Sequence, residues 1–286
     1  MPHPAGTLPS SALVAADFIR IFSDLHYGDP ASRARRLAQL RPLLDGVTHL
    51  VLNGDTLDTR PSPRPHFTAE KRAEVLEFFT QQVPQVTFLT GNHDPDFSAQ
   101  HTLDLAAGQI FVTHGDILFD NIVPWGRDAP VIGRKISAGL ADLRPSEREH
   151  LDQRLAVWRR VAAEIPQRHQ AKPRGLSYAA GFIADTVWPP LRILRVLQAW
   201  RDEPKRAAEL VRRHRPQAKF VLLGHTHRPS VRHEPSNITV LNTGAFCPPF
   251  GCHAVDVTAN RLTVRRIEEH RGEFHAGNSV AEFPLS

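Results

Sequence analysis

Two histidines two residues apart, His225 and His227, lie in Gly224-His225-Thr226-His227 directly after the apolar run Phe220–Leu223. Side chains on extended backbone repeat every second residue, so both imidazoles are delivered to one place. A dry strand carrying such a pair suits a transition-metal site. Four earlier apolar runs end in similar clusters. Residues 18–22 lead to Asp24 and His26, 49–52 to Asn53-Gly54-Asp55, 86–89 to Gly91-Asn92-His93-Asp94, and 110–112 to His114-Gly115-Asp116. Carboxylates, imidazoles and one amide oxygen together favour manganese, iron or zinc over a thiolate-loving ion. Asp24, His26, Asp55, Asn92, His114, His225 and His227 are too many for one tetrahedral shell and suit two divalent ions sharing a carboxylate. Two ions about 3.5–4 Å apart activate a bridging water and clamp the oxygens of an in-line displacement at phosphorus.

The elements that must carry these clusters follow from the hydrophobic pattern. The apolar runs read as strands. Asp29-Pro30 is expected to open a helix bearing Leu37, Leu40 and Leu44, and Thr68 to cap a second one carrying Val75, Leu76 and Phe79. Strand–helix alternation with continuously apolar strands predicts an α/β protein whose strands are buried on both faces. Such sheets bind ligands at the carboxyl ends of their strands, where every cluster lies. From about 117 to 215 the strand pattern gives way to helices. Ser146 with Glu149 has the spacing of a capping box, and Leu151, Leu155, Trp158, Ala162 and Ile165 follow at helical intervals. Pro190 is placed to open a helix with Leu191, Leu194 and Leu197 between Arg192, Arg195 and Arg201, and Pro204 to open another. Short antiparallel strands are expected at 238–241, 252–257 and 262–267. The predicted organisation is a loose lead at 1–16, an α/β domain at 17–270 with a helical insertion at about 117–215, and a tail at 271–286.

Composition narrows the class. The 286 residues are 41% hydrophobic and 23% charged, ordinary for a globular protein. No apolar run reaches the length of a membrane span, and no secretory pattern opens the chain, so the expected location is cytoplasmic. Cys247 and Cys252 read as reduced thiols. The net charge of +5 is uneven: residues 134–215 hold 18 Lys+Arg against 9 Asp+Glu, leaving the remainder acidic. A basic segment on an acidic body fits an anionic partner, either phosphate or the inner face of a membrane. The lack of aromatic residues interleaved along a basic strand surface argues against nucleic acid.

The five blocks Asp24-Leu25-His26, Gly54-Asp55, Gly91-Asn92-His93-Asp94, His114-Gly115-Asp116 and Gly224-His225-Thr226-His227 resemble, in order, the calcineurin-like metallophosphoesterases. The likeness spans roughly 18–116 and 218–257. It implies a β-sandwich flanked by helices and a dinuclear, metal-dependent phosphoester hydrolase, with manganese as the expected ion. By position it assigns Asp24, His26 and His227 to one metal, Asn92, His114 and His225 to the other, and Asp55 to the bridge. His93 would stabilise the transition state or protonate the leaving oxygen. Asp94 would orient His93 as an outer carboxylate, with Asp116 in a similar supporting place. The helical insertion and Arg228-Pro229 make the chain similar to bacterial UDP-2,3-diacylglucosamine pyrophosphatases, from which it departs in having His93 where they carry arginine. That likeness implies a lipid-nucleotide substrate met by Arg228, Arg192 and Arg195, with peripheral membrane contact through the basic insertion. A phosphodiesterase or phosphomonoesterase acting on a soluble nucleotide is the alternative, ahead of a nuclease or a non-catalytic scaffold.

Overall fold

The computed structural model describes residues 18–168, 170, 172, 175–184 and 188–285. The expected lead at 1–16 lies outside them. Strands β1 (Ile19–Phe22), β2 (His49–Asn53) and β3 (Gln85–Leu89) run parallel. They share a six-stranded sheet with β9 (His253–Thr258), β10 (Arg261–His270) and β11 (Glu273–Pro284), in the order β11-β10-β9-β1-β2-β3. A second sheet, β4-β5-β6-β8-β7, contains β4 (Thr102–Leu105), β5 (Ile110–Thr113), β6 (Phe220–Leu223), β7 (Ser230–His233) and β8 (Thr239–Asn242). In it β5, β6 and β8 are parallel.

The strands alternate between two cores. Ile19, Ile21 and Val51 meet Val112, Leu222 and Leu241 between the sheets. Phe22, Leu50 and Leu52 turn outward onto Leu43 of the short α1 (Arg41–Leu44) and Val75 and Phe79 of α2 (Pro65–Gln82). Val221, Leu223 and Val240 turn the other way, onto α3 (Ala129–Ala141), α5 (Leu151–Ala163) and α7 (Leu191–His214). The fold is therefore a two-sheet sandwich with helices on both outer faces, the expected mixed α/β class. All described secondary structure between β5 and β6 is helical, including the short α4 (Pro145–Arg148) and α6 (Leu176–Phe182). Among the described residues no helix is long and apolar enough to cross a membrane.

Several local expectations are corrected. The helix expected at Asp29-Pro30 begins only at Leu37, as a 3-10 turn. The Asp29 carboxylate takes the Ala31 amide and the Phe246 carbonyl takes the Arg33 amide, diverting the backbone donors a helix would use. α2 starts at Pro65, whose fixed φ suits the first helical position, so Thr68 lies inside it. Glu149 and Ser146 do not pair as a capping box; Ser146 lies within α4 and Glu149 follows it, before α5 begins. Pro204 lies within α7, whose packing through Ala199, Ala207, Ala208 and Val211 carries the helix past the proline. β8 is parallel to β6, because the hairpin strand β7 returns the chain to the sheet's starting end. The expected tail is β11, paired along β10, with Phe274 buried and Ala281 and Phe283 packed against the inter-sheet core. Its alternation is interrupted by register shifts, so pairing rather than pattern makes it a strand.

Candidate metal centre

The chain leaves β1, β2 and β6 through sharp turns that carry the ligand-type residues. Asp24, His26, Asp55, His225 and His227 have φ of 52°, 46°, 51°, 68° and 59°. The left-handed region is rare for residues with a side chain, and such strain concentrates at functional sites. Close approach completes the convergence. A Cβ on Gly91 would lie 2.3 Å from Asp55 Oδ1, and one on Gly224 would lie 2.2 Å from Asp24 Oδ2.

Asp24, His26, Asp55 and His227 each bring one donor atom within 4.8 Å of the others. His227 Nε2 lies 3.1 Å from both Asp24 Oδ1 and His26 Nε2. On the other side His114 Nε2 lies 3.3 Å from Asp55 Oδ2, and His225 Nδ1 lies 2.8 Å from Asn92 Oδ1. Asp55 stands between the groups. Its Oδ1 accepts the His93 amide, while Oδ2 lies 3.8 Å from His26 Nε2 as well as facing His114.

The hydrogen bonds say what these atoms await. A carbonyl only accepts, so His114 Nδ1–H donates to Asn53 O (3.0 Å) and His225 Nε2–H donates to Ile122 O (2.9 Å). His114 Nε2 and His225 Nδ1 are then the ring atoms that face the oxygens of Asp55 and Asn92, and are the atoms a metal would take from each ring. His114 Nε2 is buried without a hydrogen-bond partner. Burial pushes the His225 imidazole down to about 3, reinforced by His114, and the His26 imidazole down to about 4. Burial alone would raise Asp55, but His114 and His93 hold it well below the usual carboxylate range. Burial would likewise lower His114, yet Asp55 and Asp24 hold it well above the usual histidine range. A divalent cation would balance the charge of Asp24 and Asp55 at this place. Two donors each about 2.1 Å from one ion and at right angles are about 3.0 Å apart. The close pairs therefore have the spacing of coordination edges, and the residues present fit two divalent ions.

His93 stands beside this cluster, its ring 4.9 Å from that of His26 and edge-on to it. Its Nδ1 lies 3.0 Å from Asp58 Oδ2 and 2.9 Å from Arg60 Nη2; the carboxylate accepts the Nδ1 proton when the ring carries it there, and Nε2 is left for a substrate. Asp58 also holds Arg60 through Nε–Oδ1 (3.0 Å) and Nη2–Oδ2 (2.6 Å). Burial opposes the charge on Asp58, but Arg60 and His93 keep it far below the usual range.

The expected role of Asp94 is thus corrected. Asp94 turns into the protein and accepts the amides of Asp55 (2.9 Å), Thr56 (2.7 Å) and Gly91 (2.7 Å), stapling two strand-end turns together. Turns leave backbone donors unpaired, and a buried carboxylate satisfies three of them at once. The sequence signal for Asp58 was its place three residues after Asp55, with Arg60 two beyond. Asp116 heads a buried 3-10 turn, where burial lifts its carboxyl to about 6.

Arg228 follows His227 and lies 5.1 Å over the Trp200 ring. Arg192 donates to Ala184 O (2.8 Å), and Arg195 is exposed farther along α7; neither belongs to the metal-type cluster. Asn242, the last residue of β8, lies behind the cluster and donates to Gly224 O (2.6 Å).

The calcineurin-like phosphoesterase family matches residues 19–229. No curated protein sequence matches the chain. Among solved structures it is similar to vacuolar protein sorting 29 from Cryptosporidium parvum, with 14% identity over 94% of this chain and 98% of that one, at TM-score 0.45. It is also similar to a dimetal phosphatase from Danio rerio, with 13% identity over 96% and 99% and TM-score 0.41. A predicted phosphoesterase from Streptococcus pneumoniae is 17% identical over 94% and 97%, at TM-score 0.37.

Proposed function

The chain belongs to the calcineurin-like phosphoesterase family, and we propose that it hydrolyses the pyrophosphate bond of a lipid-linked nucleotide of the UDP-diacylglucosamine type. The observation that carries the hydrolytic reading is the convergence of seven ligand-type side chains, with Asp24, His26, Asp55 and His227 gathered on one side and His114 and His225 meeting Asp55 and Asn92 on the other. Asp24, His26 and His227 would hold one divalent ion, Asn92, His114 and His225 the other, and Asp55 both. The mixed nitrogen and oxygen set suits manganese. Bound there, the ions would supply an activated water and neutralise charge on the phosphoryl oxygens.

The remaining work falls to the chain's own side chains. Asp58 takes the proton of His93 Nδ1, which leaves Nε2 to carry the second proton of an imidazolium and pass it to the leaving oxygen. The five strained backbone positions hold the donors in place before substrate arrives, so little reorganisation accompanies the reaction.

The lipid assignment rests on α7. Its first half exposes Leu191 (64%), Leu194 (60%) and Leu197 (50%), with Arg192 and Arg195 between them. The alternative role for these leucines, packing the insertion onto the core, falls instead to Ala207, Ala208 and Val211 in the second half. An exposed apolar ridge set with arginines suits acyl chains and lipid phosphates at a membrane interface. Trp200 and Arg228 stand at the end of this ridge, next to His227. The second reading is a soluble nucleotide phosphodiesterase, favoured by His93 in place of arginine.

Sedimentation with anionic vesicles at low and high salt, combined with turnover assays, separates the two. The lipid reading expects salt-sensitive binding. Glutamate at Arg192 and Arg195 should impair a lipid-linked pyrophosphate substrate while leaving an aryl phosphodiester unaffected. A wild type that ignores vesicles and prefers soluble nucleotides would replace that reading with the second.

A further inference from the structure

The insertion meets the metal-type loops from several directions. Ile122 O receives His225, Gln167 Nε2 donates to Asp58 O (2.8 Å), and Trp200 Nε1 donates to Thr226 O (2.9 Å). A further buried polar contact comes from α7, where Glu203 is only 3% exposed. We propose that Glu203 is a positioning residue through which the helical insertion sets the geometry of the loop at 224–227. The inference rests on the two-metal reading above and assigns this side chain a part in metal retention.

Thr226 lies between two ligand-type histidines, in a turn where φ is 68° at His225 and 59° at His227. Its hydroxyl leaves the cluster and donates to Glu203 Oε1 at 2.8 Å. Asn242 Nδ2 donates to the same oxygen at 3.0 Å, and also approaches Gly224 O (2.6 Å) and Thr226 Oγ1 (3.0 Å). Asn242 Oδ1 accepts the Gly244 amide at 2.8 Å. One carboxyl oxygen therefore ties α7 to the loop carrying His225 and His227 and to the end of β8.

Packing alone gives no reason for a carboxyl here, because an apolar side chain would fill the space without the cost of burying a polar group. The hydrogen-bonding capacity is what an apolar residue cannot replace. The loop it steadies also holds two strained residues, at φ of 68° and 59°, which relax unless neighbouring contacts hold them. Burial lifts the Glu203 carboxyl to about 8, with Thr226 and Asn242 drawing it down, so at neutral pH glutamine is a close mimic of the protonated acid.

The test measures Mn²⁺ affinity by calorimetry on the full chain stripped of metal, alongside the melting temperature of the stripped protein. Glu203→Ala should bind Mn²⁺ about 10–100-fold more weakly, the scale of lost outer hydrogen bonds at metal sites. Its turnover of an aryl phosphodiester should recover at saturating Mn²⁺, and Glu203→Gln should restore affinity. Thr226→Val, which keeps the branched shape without the hydroxyl, should show the same weakening and serves if the alanine variant does not fold. Wild-type affinity in Glu203→Ala or Thr226→Val overturns the assignment, as does equal weakening in Glu203→Gln. A wild type that binds no Mn²⁺ removes the two-metal reading itself, whereas two ions bound with wild-type affinity by every variant removes only the role of Glu203.

Discussion

Replacing Asp58 by asparagine separates the proton donor from the metal centre. Asp58 and Arg60 form a pair with side chains only 11% and 8% exposed, joined by two hydrogen bonds, and His93 shares one of the carboxylate oxygens. Removing the negative charge leaves a buried guanidinium without this partner, and breaking such pairs costs about 3–5 kcal/mol. Asparagine keeps one acceptor, so Asp58→Asn should fall near the lower end, about 3 kcal/mol in urea unfolding. If that oxygen stays with Arg60, the amide nitrogen faces His93 Nδ1 and disfavours the doubly protonated ring from which Nε2 gives its proton. Turnover of an aryl phosphodiester should then fall about 10²–10⁴-fold, the scale of a misplaced acid–base group. Elemental analysis should still find two ions per chain, because Asp58 touches His93 rather than the metal-type donors. Asp94→Asn makes the contrast. Its remaining oxygen keeps the Asp55 and Gly91 amides, but its amide nitrogen opposes the Thr56 N–H, a cost of about 1–3 kcal/mol placed under the bridging carboxylate. That variant should lose metal. Wild-type turnover in Asp58→Asn, or metal loss equal to that of Asp94→Asn, would refute the assignment of Asp58 to His93.

Other outcomes follow from the same geometry. Asp55→Ala should lose both ions, because a single oxygen faces His26 and His114; a full complement by elemental analysis would remove the bridge. Gly224→Ala places a carbon 2.2 Å from Asp24 Oδ2 and 2.3 Å from Ser23 Oγ, so it should cost about 1–3 kcal/mol in unfolding and weaken metal binding; unchanged melting and affinity would show that this space yields. In stripped protein, the Glu203 carboxyl keeps its proton up to about pH 8 when folded, against an ordinary value of 4.5. Unfolding releases that proton within this window, so stability falls as pH rises from about 4.5 to 8. The melting-temperature advantage of Glu203→Gln over wild type should widen across the same range, and a constant gap would refute the raised pKa.

The metal-type donors were legible in the sequence because each cluster follows an apolar run. Strand burial and side-chain alternation are local properties, and parallel strands bring their carboxyl ends to one edge whatever lies between them. Asp24, Asp55 and His225 therefore stood out before any contact was known. What each side chain touches could not be read the same way. Asp94 is adjacent to His93 in sequence but turns toward the amides of Gly91, Asp55 and Thr56, while Asp58, 35 residues away, reaches the imidazole. A one-residue step in a turn reverses side-chain direction, so the partner is fixed by which loops come together. The tail that became β11 makes the same point, since its strand character comes from pairing with β10. Glu203 is the limiting case. It lies in a helix rich in charged residues, where sequence gives no reason to single it out. Only the packing of α7 against β6 and β8 carries its carboxyl under Thr226, because burial and hydrogen bonding across 23 residues are properties of the assembled layers.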